Sequence, residues 1–304
     1  MPELPEVHTT ATYLDKAVKN KIIKDIWTDW PKYFRNDKNF KKNILGRKIL
    51  SVGRKGKNVL FRLSGGYTML AHQKMTGHFL VGRWREVLKN EKELGEIWLG
   101  QKWVPVDRKG PLGDDRNRFI RLIFFLSGGE MLALSDLRRF AKIILGKEKE
   151  ISELPELRKL GPEPIDPKFT SEKFIGIFGS LAGRKMNIKQ ALLSQEFVSG
   201  VGNIYADESL WQAKIHPLRL AGKLDRAELS SLYRALRLVL KNAIRSRGSS
   251  VDDYRDPSGR AGVYQKAHEV YHREGEPCRR CGMKIKRMKI GQRSAHFCPR
   301  CQIL

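Results

Sequence analysis

The four cysteines of this chain stand together near its end, as Cys278-x2-Cys281 and Cys298-x2-Cys301 with sixteen residues between the pairs. Two such knuckles bring four thiolates to the corners of a tetrahedron, the arrangement that a structural Zn2+ takes. Disulfides are the competing use of four cysteines, but they belong to oxidising compartments. The N-terminus carries Glu3 and Glu6 and lacks a basic-then-apolar secretion pattern, so a cytosolic, reducing setting is expected. With four protein ligands, one Zn2+ would have no open position for water and would serve the fold alone. The last forty residues are therefore expected to form a small metal-held hairpin. Between Arg273 and Arg300 they carry nine basic residues against two acidic ones, which suits a surface facing phosphates.

Charge extends that reading to the whole chain. Its 304 residues hold 59 Lys+Arg and 33 Asp+Glu, a net charge of +26, and such an excess suits a polyanion. No apolar run approaches the roughly 18 residues of a membrane span, so the expected partner is nucleic acid and not a membrane. The length exceeds that of a usual single domain, and two domains are expected.

Residues 2–20 read as a helix, with Val7, Ala11, Leu14 and Val18 at helical spacing. From about 21 to 145, short β-rich runs such as 48–52, 59–63 and 119–125 are split by Gly turns, the pattern of an antiparallel sandwich or barrel. Residues 81–117, with Trp84, Trp98 and Trp103, are polar and irregular and read as an excursion between strands, a solvated loop or else a contact for flanking DNA or a partner. A charged and then proline-punctuated boundary lies at 147–167, and helical patterns follow from about 171 to 247, broken near Gly200-Val201-Gly202. The division expected is 2–149, a hinge at 150–160, a helical domain with a polar loop at 161–262, and the cysteine hairpin at 263–304.

Three constellations carry chemistry. In Ser199-Gly200-Val201-Gly202-Asn203, two glycines flank a valine ahead of a helix. Exposed N–H groups and a helix N-terminus suit a phosphate, although a packing corner between helices would look the same. Lys57, Met75 and Arg138-Arg139-Phe140 would each pass alone as core or surface filler. A basic residue beside an exposed Met or Phe is also what wedges into a base stack. Finally, Pro2 follows Met1, and removal of Met1 would leave a secondary amine. An α-amino group titrates near roughly 7.7–8.0. It can attack a masked carbonyl to form a Schiff base, with a neighbouring carboxylate moving protons. The plainer alternative is a stiff start to a helix.

Taken together, these residues resemble the bacterial formamidopyrimidine-DNA glycosylases of the Fpg/Nei family nearly end to end. The likeness rests on PELPEV at 2–7, Gly56-Lys57, DLRRF at 136–140, LGPEP at 160–164, GVGNIYADE at 200–208 and the cysteine finger. Leu4 stands where the Nei branch has glycine, which favours the Fpg branch. The resemblance implies an α+β multidomain fold. An N-terminal helix plus antiparallel β-sandwich would precede a helix–two-turn–helix domain and a C-terminal four-cysteine zinc-finger β-hairpin. It implies a monomeric bacterial DNA glycosylase and abasic-site lyase that excises oxidised purines, chiefly 8-oxoguanine and formamidopyrimidines, from double-stranded DNA.

Carried onto this sequence, the resemblance makes Pro2 the nucleophile at C1′ and Glu3 the general acid/base. Glu6 would be a second active-site carboxylate, ordering water or the opened sugar. Lys57 would grip the phosphate beside the lesion, and β- then δ-elimination would cut the strand. Met75, Arg138 and Phe140 would fill the void of the flipped nucleotide, Arg138 pairing with the orphaned cytosine. Gly202 with Asn203, and Arg293, would clamp phosphates, and Lys189 would lie near the lesion pocket. The segment 252–264 would close over the damaged base, and Cys278, Cys281, Cys298 and Cys301 would hold the zinc. The chain departs from the family pattern at His8 (usually Glu), at Gln73-Lys74 (usually Leu-Gly within HLGMSG), at Ser194 (usually Asp), and at Asp115-Arg116-Asn117-Arg118 in place of a KHDH-like stretch. Residues 81–117 are also longer than the family expectation. None of this touches Pro2 or Glu3; it bears on how DNA is held.

Overall fold

The computed structural model describes residues 1–35, 37–87 and 100–304. The chain divides into two units, Met1–Arg158 with Arg247–Val263, and Lys159–Ser246 with Tyr264–Leu304.

In the first unit, helix α1 (Leu4–Val18) buries the expected stripe of Val7, Ala11, Leu14 and Val18. Strand β1 (Ile23–Thr28) and the short helix α2 (Phe40–Ile44) lead to a run of hairpins: β2 (Ile49–Lys55), β3 (Asn58–Leu63), β4 (Tyr67–His72), β5 (His78–Gly82), β6 (Trp84–Glu86), β7 (Trp103–Pro105), β8 (Ile120–Leu126), β9 (Met131–Ser135) and β10 (Lys142–Lys147). Helices α3 (Glu148–Ser152) and α4 (Pro155–Arg158) close the run. Two antiparallel four-stranded sheets result, ordered β1-β8-β9-β5 and β10-β4-β3-β2. Alternate residues of each strand, such as Val59, Phe61 and Leu63 on β3, point into one shared core with the α1 stripe. Phe61 and Phe79 meet edge-on across it at 5.6 Å. Two separate sheets around one core make this a sandwich and exclude the barrel alternative.

Two stretches depart from a simple reading along the chain. Where residues 81–117 are described, the β6 and β7 part is not a solvated loop, although 106–109 are exposed. β6 pairs with β7, and buried Trp84 and Trp103 pack with Leu80, Ile120 and Ile123 on the outer face of the first sheet. β8 is therefore apolar on both faces, which is why its sequence reads as a continuous run. The middle of the excursion, 88–99 with Trp98, lies outside the described residues. Second, 247–263 packs with the first unit, although it follows the helices in sequence. Backbone hydrogen bonds such as Val81 N–H to Pro257 O (2.8 Å) tie it there.

The second unit holds α5 (Ser171–Gly179), α6 (Ile188–Leu193), α7 (Asn203–Gln212) and α8 (Arg226–Arg245) around a core that includes Phe174, Phe178, Leu192, Tyr205, Leu236 and Leu240. A reciprocal capping box opens α8: Glu228 N–H donates to Asp225 Oδ1 (2.8 Å), and Asp225 N–H to Glu228 Oε2 (3.0 Å). The tail forms the hairpin β11 (Lys286–Ile290) and β12 (Arg293–Phe297).

Candidate functional site

The start of α1 carries two buried carboxylates, Glu3 at 4% exposure and Glu6 at 2%. Pro5 sits in the first turn, where a missing N–H costs nothing. Glu6 Oε2 accepts the Glu3 N–H (2.8 Å), and its Oε1 accepts the Ser249 N–H (2.7 Å). The Tyr254 hydroxyl donates to the Glu6 carbonyl (3.2 Å). A Cβ on Gly248 would stand 2.6 Å from Glu6 Oε1, so the return segment approaches as only glycine permits. Glu6 thus fixes the backbone of Glu3, a holding role that the sequence reading did not anticipate.

Lys57 occupies the two-residue turn between β2 and β3 and is 8% exposed. Its neighbour Gly56 has φ +56°, which suits a hairpin turn of this length. Across from it, burial, and then the charges of Lys74, Lys57 and Lys142, push the His72 imidazole down to about 3. His72 Nδ1 accepts the Lys74 N–H (3.0 Å). Lys74 itself adopts φ +56°, where the family pattern has glycine. A left-handed lysine costs about 1 kcal/mol or more, and its charge acts on His72 together with that of Lys57.

This histidine makes a pH test. Unfolded, it takes up a proton near roughly 6.5; folded, it does so only near 3. The stability it contributes is therefore present above that unfolded value and is lost as pH falls toward 3. Between pH 6 and 5, His72→Gln is expected to make the decline of unfolding free energy shallower by up to about 1.4 kcal/mol per pH unit. Denaturant titrations of both proteins check this, and parallel pH profiles would contradict it.

Met75, Arg138 and Phe140 are all exposed, and the Arg138 guanidinium lies 4.4 Å over the Phe140 ring. One residue that sequence reasoning passed over holds them. Asp136, fully buried, accepts from the Thr76 hydroxyl, the Tyr33 hydroxyl (3.1 Å) and the Ala141 N–H (2.9 Å). Thr76 Oγ1 in turn accepts the Arg138 N–H (3.0 Å). The turn bearing Met75 and the loop bearing Arg138 and Phe140 are thereby hung on one carboxylate. Asp136 opens the DLRRF motif and was visible in the sequence, but its partners were not.

In the second unit, a cavity of about 520 Å3 is lined by Asn203, Tyr271, His272, Arg287, Arg293 and His296 among others. Asn203 is the first residue of α7, so the helix N-terminus opens on this cavity beside two guanidinium groups. That combination suits a phosphate. The Gln195 side chain shapes the preceding bend by accepting the Gly200 N–H (2.9 Å) and donating to Val201 O (2.8 Å).

Lys189 requires a correction. It is fully buried, its ammonium on Asp207 Oδ1 (2.6 Å) and on the Ser294 carbonyl. Asp207 Oδ2 also accepts the His296 N–H (2.9 Å). The lysine thus pins β12 to α7 and does not reach outward. A buried charge is tolerated only with such partners, and breaking the pair would cost about 3–5 kcal/mol.

The four cysteine Sγ atoms all lie within 4.8 Å of one another. Trp211 of α7 donates its Nε1–H to Cys278 Sγ (3.4 Å). Burial and neighbouring thiols push Cys301 up to about 12. The donor set fits a tetrahedral thiolate site. No described helix is long and apolar enough to cross a membrane.

Three family models match the chain: the formamidopyrimidine-DNA glycosylase N-terminal domain over residues 1–143, the H2TH domain of the same glycosylases over 160–255, and a zinc finger found in FPG and IleRS over 275–303. The formamidopyrimidine-DNA glycosylase of Pelotomaculum thermopropionicum is 39% identical, the alignment covering 99% of each chain. That of Deinococcus radiodurans is 36% identical over all of this chain and 98% of its own. Among solved structures, the MutM (Fpg) protein of Thermus thermophilus superposes with a TM-score of 0.80 at 35% identity, covering 99% of this chain and 98% of that one. A Lactococcus lactis Fpg in complex with Fapy-dG-containing DNA gives 0.82 at 29% identity over the whole of both chains.

Proposed function

The chain belongs to the formamidopyrimidine-DNA glycosylase family, and on that footing we propose that it excises oxidised purines, 8-oxoguanine and formamidopyrimidines, from duplex DNA and then cuts the abasic strand. The observation that carries this reading is the buried carboxylate of Glu3, whose backbone Glu6 holds beside the residue that becomes N-terminal when Met1 leaves. The secondary amine of Pro2 attacks C1′ of the flipped nucleotide. Its C–N bond forms as the glycosidic bond breaks, and the base departs with a proton. Glu3 protonates the sugar ring oxygen and then moves protons as the ring opens to a Schiff base. Successive β- and δ-elimination releases the 3′ and 5′ phosphates, and hydrolysis frees Pro2.

Lys57 neutralises the phosphate beside the lesion, with Lys74 adding charge. Met75, Arg138 and Phe140 occupy the emptied stack, and the Arg138 guanidinium serves the edge of the orphaned cytosine. Asn203, the Gly202 backbone and Arg293 hold further phosphates. Cys278, Cys281, Cys298 and Cys301 hold one structural Zn2+, which fixes the hairpin carrying Arg293. Lys189 supports that hairpin from within.

The test is borohydride trapping on an 8-oxoguanine·cytosine duplex, with a thymine glycol duplex in parallel. A covalent adduct and faster release of 8-oxoguanine are expected. No adduct on either duplex would overturn the chemistry, and faster release of thymine glycol would overturn the lesion class.

A further inference from the structure

We propose that Asn117 is a positioning residue that anchors the segment 252–261 in the form that closes over a flipped base. The lesion-capping part of this rests on the function proposed above. The anchoring rests on contacts within the first unit.

Asn117 is 1% exposed, and its side chain joins three pieces of chain. Nδ2 donates to Pro111 O (3.0 Å) and to Gly259 O (3.2 Å), while Oδ1 faces His78 Nε2 (3.0 Å). With Nδ2 committed to two carbonyls, Oδ1 is left to accept from His78, whose other ring nitrogen faces the Thr76 carbonyl (3.2 Å). His78 begins β5 inside the sandwich, and the anchor is therefore rigid. Gly259, at φ +88°, is the point of closest approach: a Cβ there would stand 2.6 Å from Pro111 O and 2.9 Å from Asn117 Nδ2.

Two ion pairs flank the anchor, Arg255 Nε to Asp114 Oδ2 (3.1 Å) and Arg116 Nη1 to Asp253 Oδ1 (3.2 Å). The turn of the strap is also built in, with Asp256 Oδ1 accepting from the N–H groups of Ser258 (2.9 Å) and Arg260 (3.1 Å). A strap already ordered pays less conformational entropy when it closes on a ligand. Asn117, Asp114 and Arg116 all belong to the excursion that is longer than the family pattern suggests. The excursion thus gives the strap a brace.

The variants are Asn117→Ala, Asn117→Asp and Gly259→Ala, each measured in two ways. A preformed abasic site has no base to cap. Single-turnover release of 8-oxoguanine is therefore expected to fall about tenfold for Asn117→Ala, the scale of one lost hydrogen bond, while cleavage of an abasic duplex stays within about twofold. Asn117→Asp is expected to lose more, because a carboxylate oxygen would face two carbonyls. Equal losses on both substrates, or no loss on either, would overturn the proposal. Independently of any lesion, tryptic cleavage at Arg255 and Arg260 of the DNA-free protein should accelerate in the variants while other sites keep their rates. Unchanged cleavage there would also overturn the anchoring. A wild type that cuts abasic DNA but ignores 8-oxoguanine would instead sink the lesion assignment, and the tryptic result would still decide the anchor.

Discussion

Protein that carries any residue ahead of Pro2 is expected to bind an 8-oxoguanine duplex and yet form no trapped adduct, with base release reduced by at least about 10³-fold. The reason is electronic. While Met1 or a tag is attached, the Pro2 nitrogen is an amide whose lone pair is delocalised into the carbonyl. Once freed, it is an amine that titrates near roughly 7.7–8.0 and is partly neutral at cellular pH. Affinity should change little, since the groups assigned to phosphates and to the emptied stack lie elsewhere in the chain. The experiment compares a protein with a cleavable N-terminal tag before and after processing to Pro2. Recovery of the adduct on processing is expected, and an adduct formed equally fast by the blocked protein would end the assignment. Glu3→Gln in the processed protein separates the second role. It keeps the amine and the shape but cannot move a proton, and a loss of about 10²–10⁴-fold in base release is expected.

What the sequence could tell about this arrangement follows from the range of the interactions. The Gly56-Lys57 turn, the first turn of α1 and the cysteine knuckles are local, and their spacing alone predicts them. The apolar stripe of α1 was legible for the same reason. The partners of Glu6, by contrast, lie 243 residues away at Ser249, and nothing in a polar stretch at 248–262 says which unit it will join. Asp136 reads as one carboxylate among 33 acidic residues until the fold brings Tyr33, Thr76 and Ala141 to it. Lys189 differs again. The resemblance places it near the lesion pocket, and nothing local in the sequence announces the pairing with Asp207, 18 residues on, that draws it inside. Trp84 and Trp103 show that a polar average can conceal two side chains large enough to cover a sheet face.

Removing the metal is expected to unfold the C-terminal hairpin and to weaken DNA binding by at least about tenfold. The apolar cluster beneath it is small, consisting of Trp211, Val270, Ile285 and the cysteines themselves. Such a cluster cannot order forty residues alone, whereas a structural Zn2+ supplies an apparent 10–16 kcal/mol, on the order of a whole domain's stability. The consequence reaches past the finger. β12 carries Arg293, and its backbone at Ser294 and His296 completes the coordination of the Lys189–Asp207 pair. When the hairpin opens, that buried pair loses two of its partners, and α6 and α7 are destabilised with it. Cys298→Ser and chelator-treated wild type should therefore both lose one zinc per chain by elemental analysis. Both should become open to trypsin across 275–303 and melt earlier in the second unit, while the sandwich of the first unit unfolds as before. Zinc-depleted protein that kept its hairpin protection and its DNA affinity would show that packing, and not the metal, holds this end of the chain.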